Sequence, residues 1–365
     1  MRLVLFCLLW LPVFSAAGKD RLDLSGRLLL DADYFEEFHS KDAESSSTEA
    51  EVRNARLQLD YDFPKKWELR LQADATEEDI DLGSAYLRYT GFAFAELTLG
   101  KMKEPLGLER NTSGSKLVSI ERSMMSRAFT PGKSWGLHLY RATDDWRWAL
   151  AAIVQGDENG NNNEDETSGF TGRYTRTLFN EDRHYLQIGT SGSFRDWDDS
   201  TYQVRDEAEV NTADNVVRSA RFLADEQATA GIEASWARGS LMVLAEYMLS
   251  RVEESNGTDW DYNGYYVTAS FFLTGEHREL RKGEFRRIRP GSEHGAWELT
   301  ARYSEVDVRD NGLGSVSSVS RLGVNYYFSR KIRVMFNALY ADIAGDTRHD
   351  ETDGYAASMR LQFLF

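Results

Sequence analysis

Between Lys101 and Lys133 the chain places Lys101, Lys103, Arg110, Lys116, Arg122, Arg127 and Lys133 against Glu104, Glu109 and Glu121. A net-positive stretch stands out in a chain of formal net charge -16. Pro105-Leu106-Gly107 and Pro131-Gly132 punctuate it, so it reads as a long loop. Set into a narrow aqueous passage, such a loop would lower the energy of an anion. The competing reading is that its cations pair with its own glutamates and with whatever wall carries it. The residues alone leave both open.

A second set of arginines recurs at alternating positions: Arg56, Arg70, Arg88, Arg173, Arg302, Arg321, Arg333 and Arg360. Asp60, Glu68, Glu96 and Glu298 share their parity and could neutralise them. Guanidinium groups bind oxyanions in bidentate fashion, so an arginine wall could pass one along by successive contacts. A third basic run, Arg281-Lys282-Gly283-Glu284-Phe285-Arg286-Arg287-Ile288-Arg289-Pro290, reads either as a basic exit rim or as a bracing turn.

Enzyme chemistry finds little footing. His39, His138, His184, His277, His294 and His349 show no metal-ligand spacing, and no nucleophile elbow appears. His138 is the best candidate for a hydrolytic site, yet it reads better as a satisfied interior histidine. No catalytic residue, metal or cofactor is expected. The acidic balance disfavours nucleic acid. The run from Asp157 to Glu166 is acidic and rich in Asn, but lacks glycine at the sixth position of an EF-hand loop, and reads as a solvated tip.

The elements that must position these charges are strands. Ala55, Leu57, Leu59, Tyr61 and Phe63 alternate with Arg56, Gln58, Asp60 and Asp62. After Pro64-Lys65-Lys66, Trp67, Leu69, Leu71 and Ala73 alternate with Glu68, Arg70, Gln72 and Asp74. The pattern continues almost to the end of the chain. It predicts strands at 22–35, 52–62, 67–74, 80–89, 94–101, 135–141, 146–154 and 169–178, then at 184–194, 228–237, 241–251, 262–273, 296–305, 317–328, 332–342 and 354–365. That makes about sixteen, an even number. The connections mostly alternate long and short, as in outer-membrane barrels. Two break the rule: 75–79 is short where a long loop belongs, and 274–295 is long where a turn belongs. Aromatic residues gather at strand ends, among them Trp67, Tyr89, Trp135, Trp146, Trp148, Tyr326, Phe328 and Tyr340, as two interfacial girdles require.

Mean hydropathy is -0.52 and no long apolar run exists, which excludes a helical membrane protein. Met1-Arg2, an apolar run from Leu3 to Phe14, and Ser15-Ala16-Ala17 form the pattern of a secretory signal over residues 1–17. Residues 18–365 then make one domain. Cys7, the only cysteine, lies in that leader. The expected fold is all-β: a transmembrane antiparallel β-barrel of about sixteen strands, with long external loops and 102–134 as a constriction loop. Such a barrel faces outer-membrane lipid in a Gram-negative cell.

Several stretches resemble a known family, the phosphate-selective porins O and P. They are Gly100-Lys101-Met102-Lys103-Glu104-Pro105-Leu106-Gly107-Leu108-Glu109, Ile120-Glu121-Arg122 and Phe129-Thr130-Pro131-Gly132-Lys133, then Arg289-Pro290, Gly295 to Ser304, and Leu322 to Tyr327. Lys133 stands where the family pattern has arginine. The resemblance covers most of the mature chain and implies a sixteen-stranded trimeric barrel with an anion-selective channel, in some members for phosphate or polyphosphate. The end of the chain, Tyr355 to Phe365, resembles the closing strand that the outer-membrane assembly machinery reads. The expected function is passive diffusion of small anions, phosphate first, through a lumen lined by Arg and Lys. A general or weakly cation-biased porin, and a structural or adhesive barrel, are the alternatives.

Overall fold

The computed structural model describes residues 21–36, 46–76, 79–155, 167–345 and 352–365. The expected leader and the whole run from Asp157 to Glu166 lie outside these.

Sixteen strands close into one antiparallel barrel. They are β1 (Arg21–Glu36), β2 (Ser46–Phe63), β3 (Trp67–Ala75), β4 (Ile80–Tyr89), β5 (Glu96–Lys103), β6 (Lys133–Ala142), β7 (Trp146–Gln155) and β8 (Ser168–Glu181). The others are β9 (His184–Tyr202), β10 (Phe222–Arg238), β11 (Leu241–Glu254), β12 (Asp259–Phe272), β13 (Ala296–Asp307), β14 (Ser315–Tyr327), β15 (Ile332–Gly345) and β16 (Thr352–Leu364). Every strand expected from alternation is present. Several run further than expected toward the long-loop rim: β9 continues to Tyr202, β10 starts at Phe222, and β11 and β12 leave only 255–258 between them. Beyond the lipid band both faces of a strand meet water, so pairing continues where apolar alternation has stopped.

Alternation decides which side chains face lipid. Leu57, Leu71, Leu99, Leu150, Phe170, Ile232, Leu249, Leu322 and Phe336 are exposed on the outer wall, while Arg173, Arg302, Arg321, Arg333 and Arg360 are buried on the inner one. Aromatic pairs ring the short-turn rim, with Trp67 against Tyr89 at 4.7 Å and Trp297 against Tyr326 at 4.5 Å. The short turns carry the strand twist tightly. Lys65 and Lys66 have φ of 66° and 72°, and Asp182 and Arg183 have 31° and 68°. Paired positive φ values are the hairpin geometry whose twist matches the flanking strands.

β1 and β16 seal the barrel, from Arg27 opposite Leu364 to Glu36 opposite Tyr355. Gly26 and Phe365 exchange backbone hydrogen bonds of 3.2 Å. A Cβ on Gly26 would stand 2.0 Å from Phe365 Cζ, so the glycine lets the terminal ring lie across the seam.

Among the described residues, three connections turn inward. The first, 104–132, carries the short helices α1 (Leu108–Asn111) and α2 (Met124–Phe129). The second, 203–221, carries a two-residue ladder pairing Arg205 with Arg218 and Asp206 with Val217. The third is the long segment at the short-turn rim, 273–295, with a ladder pairing Leu280 with Phe285. The irregular connections at 75–79 and 274–295 are therefore real features of a complete sixteen-strand count.

Candidate functional site: a cationic constriction

The inner face of β11 explains why the first inward loop stays in place. Its inward residues include Met242, Leu244, Met248 and Val252, and its outward ones include Val243, Tyr247 and Leu249. A strand apolar on both faces is covered on both faces. The cover is the loop: Leu106, Leu108, Met124, Met125, Ala128 and Phe129 share one buried cluster with Met242, Met248, Tyr266 and Val306.

Polar anchors then set the loop's height and rotation. Glu246 accepts from the backbone N–H of Leu108 at 2.5 Å, from that of Glu109 at 2.8 Å, and from Tyr266 Oη at 2.6 Å. The far wall grips the extended stretch 117–121 by its carbonyls. Arg333 donates to Leu117 O at 2.8 Å, Asn325 to Val118 O at 2.8 Å, and Arg360 to Ile120 O at 2.5 Å.

The loop's three glutamates all bind arginines of the wall. Glu104 pairs with Arg195, and Glu109 with Arg302. Glu121 pairs with Arg360 at 2.5 Å and with Arg53 at 3.2 Å. Burial alone would raise Glu121, yet Arg53, Arg360 and Arg127 together hold it far below the usual carboxylate range. The second inward loop takes up more of the arginines. Glu209 lies 2.9 Å from Arg321 and 3.8 Å from Arg302. Arg127 meets Asp206 at 2.9 Å, and also Glu207.

Most of the wall arginines are thus neutralised. Arg173 pairs with Glu233 at 2.5 Å, Arg70 with Asp60 at 2.5 Å, and Arg88 with Glu68 at 3.6 Å and Glu96 at 3.8 Å. Because the loop's carboxylates point at the wall, some of its cations have none. Lys103 Nζ donates to Arg110 O at 2.9 Å and Thr112 O at 3.4 Å. Arg122 donates to Glu109 O at 3.3 Å and Thr112 O at 3.1 Å. Neither makes an ion pair among the described residues. Arg27 of β1 donates to Asn54 Oδ1 at 2.7 and 3.2 Å and forms no ion pair among the described residues. Arg56 and Lys133 share one carboxylate, Asp74, at 2.5 and 3.3 Å.

Arg27, Arg56, Lys103, Arg122 and Lys133 therefore form one half-buried cationic group, in which Asp74 holds Arg56 and Lys133. Each feels its neighbours: Arg56 and Arg122 bear on Arg27, and Arg122, Lys133 and Arg56 bear on Lys103. Burial pulls Arg122 below the ordinary guanidinium range; Glu109 and Glu121 oppose this, and Arg53 and Arg127 add to it.

Of the other expected site residues Lys101 and Lys116 stand apart from this group, while Arg110 adjoins it through Lys103. Lys101 lies 3.7 Å from Asp81, Arg110 donates to Pro131 O at 2.8 Å, and Lys116 lies 3.9 Å from Glu284. Arg302, Arg321 and Arg360 hold the two loops. Sequence reading missed Arg27 and Asp74 as members of the group, and Arg53 as a partner of Glu121. The parity of β1, with Leu22 and Leu24 outward and Arg27 inward, was the signal available for Arg27.

A closed sixteen-strand wall with an inward loop and a cationic narrowing is the build of a channel. The family model for phosphate-selective porin O and P matches residues 23–365. This chain belongs to that family. It is 24% identical to Porin O of Pseudomonas aeruginosa over 97% of this chain and 91% of that protein. In fold it is similar to an anion-selective porin from Comamonas acidovorans, with TM-score 0.63, 11% identity, and 95% of this chain and 100% of that one covered. It is also similar to a loop-deletion form of OmpT, an outer membrane protein of Vibrio cholerae, with TM-score 0.65, 11% identity and the same coverage. The family is one of channels and places this porin in the outer membrane of a Gram-negative cell. By the rule for such barrels, the short-turn rim is periplasmic.

Proposed function

We propose that this porin passes small anions, phosphate foremost, through the narrowing formed by Arg27, Arg56, Lys103, Arg122 and Lys133. The observation that carries this reading is the imbalance of charge: among the described residues only Arg56 and Lys133 of the five form an ion pair, and they share one carboxylate, Asp74. Two unit charges ~4 Å apart interact by about 4 kcal/mol at an effective dielectric of ~20. The acidic long-loop rim acts from further away, and screening is nearly complete beyond ~10 Å at 0.1 M salt. The near cations therefore outweigh the distant acids, which disfavours a cation-biased pore.

The chemistry fits an oxyanion. The two planar guanidinium groups without a carboxylate, those of Arg27 and Arg122, offer forked donors, and Lys103 offers a compact ammonium. Asp74 holds Arg56 and Lys133 in place and weakens the site enough for an occupant to leave, as conduction requires. The family and the trimeric form of a structural neighbour, OmpT of Vibrio cholerae, support a trimer.

The test is a planar bilayer with a potassium chloride gradient, followed by added phosphate. Anion-selective current that phosphate reduces is the expected result. A cation-biased reversal potential would overturn the reading.

A further inference from the structure

The segment 273–295 enters from the periplasmic rim and has two halves of different character. One half braces. Arg278 donates to Glu298 at 2.7–2.9 Å, to Tyr327 Oη at 3.0 Å and to Lys116 O at 3.2 Å. Leu280 and Phe285 are buried, and Ile288 packs with Phe272, Ala296 and Tyr327.

The other half presents charge. Arg281, Arg286, Arg287 and Arg289 are exposed, and with Arg330 and Lys116 they line a cavity of about 500 Å³. Among the described residues none of these five arginines forms an ion pair. Glu276 and Glu279 share the lining. Glu276 is already engaged: it accepts from Gly291 N at 2.8 Å and from Thr274 Oγ1. Glu284, beside Lys116, is held by Arg147 at 2.8 Å. Burial and then the charge of Arg330 hold Arg287 below the ordinary guanidinium range. Burial likewise lowers Lys116; Glu284 opposes this, and Arg286, Arg287 and Arg147 add to it.

Like charges held together by a packed backbone repel until an anion arrives. The braced hairpin keeps these arginines together, with Arg286 N donating to Glu279 O at 2.9 Å. The cavity falls within the ~300–1,000 Å³ typical of small-molecule sites, far more than one orthophosphate fills. Several forked donors on one wall suit a ligand bearing several anionic groups.

We propose that this basin is a second anion site, separate from the constriction, which docks multivalent oxyanions from the periplasm and blocks the pore from that side. Lys116 of the constriction loop forms part of its lining, so an occupant lies across the exit. The basin does not depend on what the constriction selects.

The test uses single channels of the full-length protein in potassium chloride, with tripolyphosphate added to one face and then to the other, and citrate as a second probe. Markedly stronger block from one face than from the other is expected with both probes. The triple variant Arg286→Ser, Arg287→Ser, Arg289→Ser should weaken it at least tenfold and leave the potassium chloride reversal potential unchanged. Arg122→Ser should keep the asymmetric block, which separates this site from the constriction. Equal block from both faces would overturn the proposal. So would undiminished block in the triple variant, or in both single variants Arg287→Ser and Arg289→Ser should the triple not assemble.

Discussion

At the scale of single residues, what matters about a charge in this lumen is whether a carboxylate already owns it. Arg70 and Arg122 are the same residue type on the same water-filled interior. Arg70 sits 2.5 Å from Asp60, and Arg122 has only carbonyl partners. Arg122→Ser and Arg27→Ser should each lower the chloride-to-potassium permeability ratio about fivefold, the ~1 kcal/mol of one unit charge at ~4 Å in water. The neutral pair exchange Arg70→Gln with Asp60→Asn should leave it near wild type; reversal potentials measure both. Glu121 makes a prediction about pH. Its folded value is depressed, so its stabilisation is present above the ordinary carboxylate range, near pH 4, and is lost only as pH falls through the depressed value. The ion pairs of Glu121 with Arg360 and Arg53 should therefore persist from pH 7 to 4, and the noise difference between wild type and Glu121→Gln should persist with them. Glu121→Gln should be noisy throughout that window and unfold more easily, by about 3–5 kcal/mol, because Arg360 and Arg53 lose a buried partner.

At the scale of elements, the constriction loop is a folded object with its own apolar underside, and its entry point is narrow. Gly107 has φ +73°, and a Cβ there would stand 2.7 Å from Met248 Cε and 3.1 Å from Glu246 Oε1. The left-handed backbone costs an L side chain about 1–2 kcal/mol before any clash. Gly107→Ala should tilt α1 off the Glu246 carboxylate and give flickering channels of altered conductance, while the barrel still forms. A single stable conductance level equal to wild type would show that the glycine is dispensable. The sequence carried part of this in view. Pro105-Leu106-Gly107 marked a loop, and 241–251 was legible as a strand, but the unbroken apolar run Leu241-Met-Val-Leu-Ala245, the sign of a strand covered on both sides, went unused. Nothing local said that the two meet, because they lie more than a hundred residues apart.

At the scale of the whole molecule, closure and charge distribution dominate. The seam rests on Phe365 crossing Gly26, so Gly26→Val should lower the temperature at which the folded barrel unfolds on a gel, with β1 and β16 separating first. Selectivity should fall with ionic strength. Anion preference in 0.1 M salt should exceed that in 1 M salt, since the screening length shrinks from about 10 to 3 Å. A preference independent of salt would point to steric selection instead.

Alternation by itself determined the barrel. Sixteen strands and their inward and outward faces follow from period two and from the penalty lipid sets on charge. The net-positive stretch from Lys101 to Lys133 was also plain. Which of its charges remain available was decided only by the tertiary structure. Glu104, Glu109 and Glu121 could have paired within their own loop alone; the closed wall offers them Arg195, Arg302 and Arg360, from strands distant in sequence, and only Glu121 keeps a partner of the loop as well, Arg127 at 3.8 Å. That exchange leaves Lys103 and Arg122 without an ion pair beside Arg27, Arg56 and Lys133. Charge pairing depends on separations of a few ångströms, and closing the barrel is what sets them.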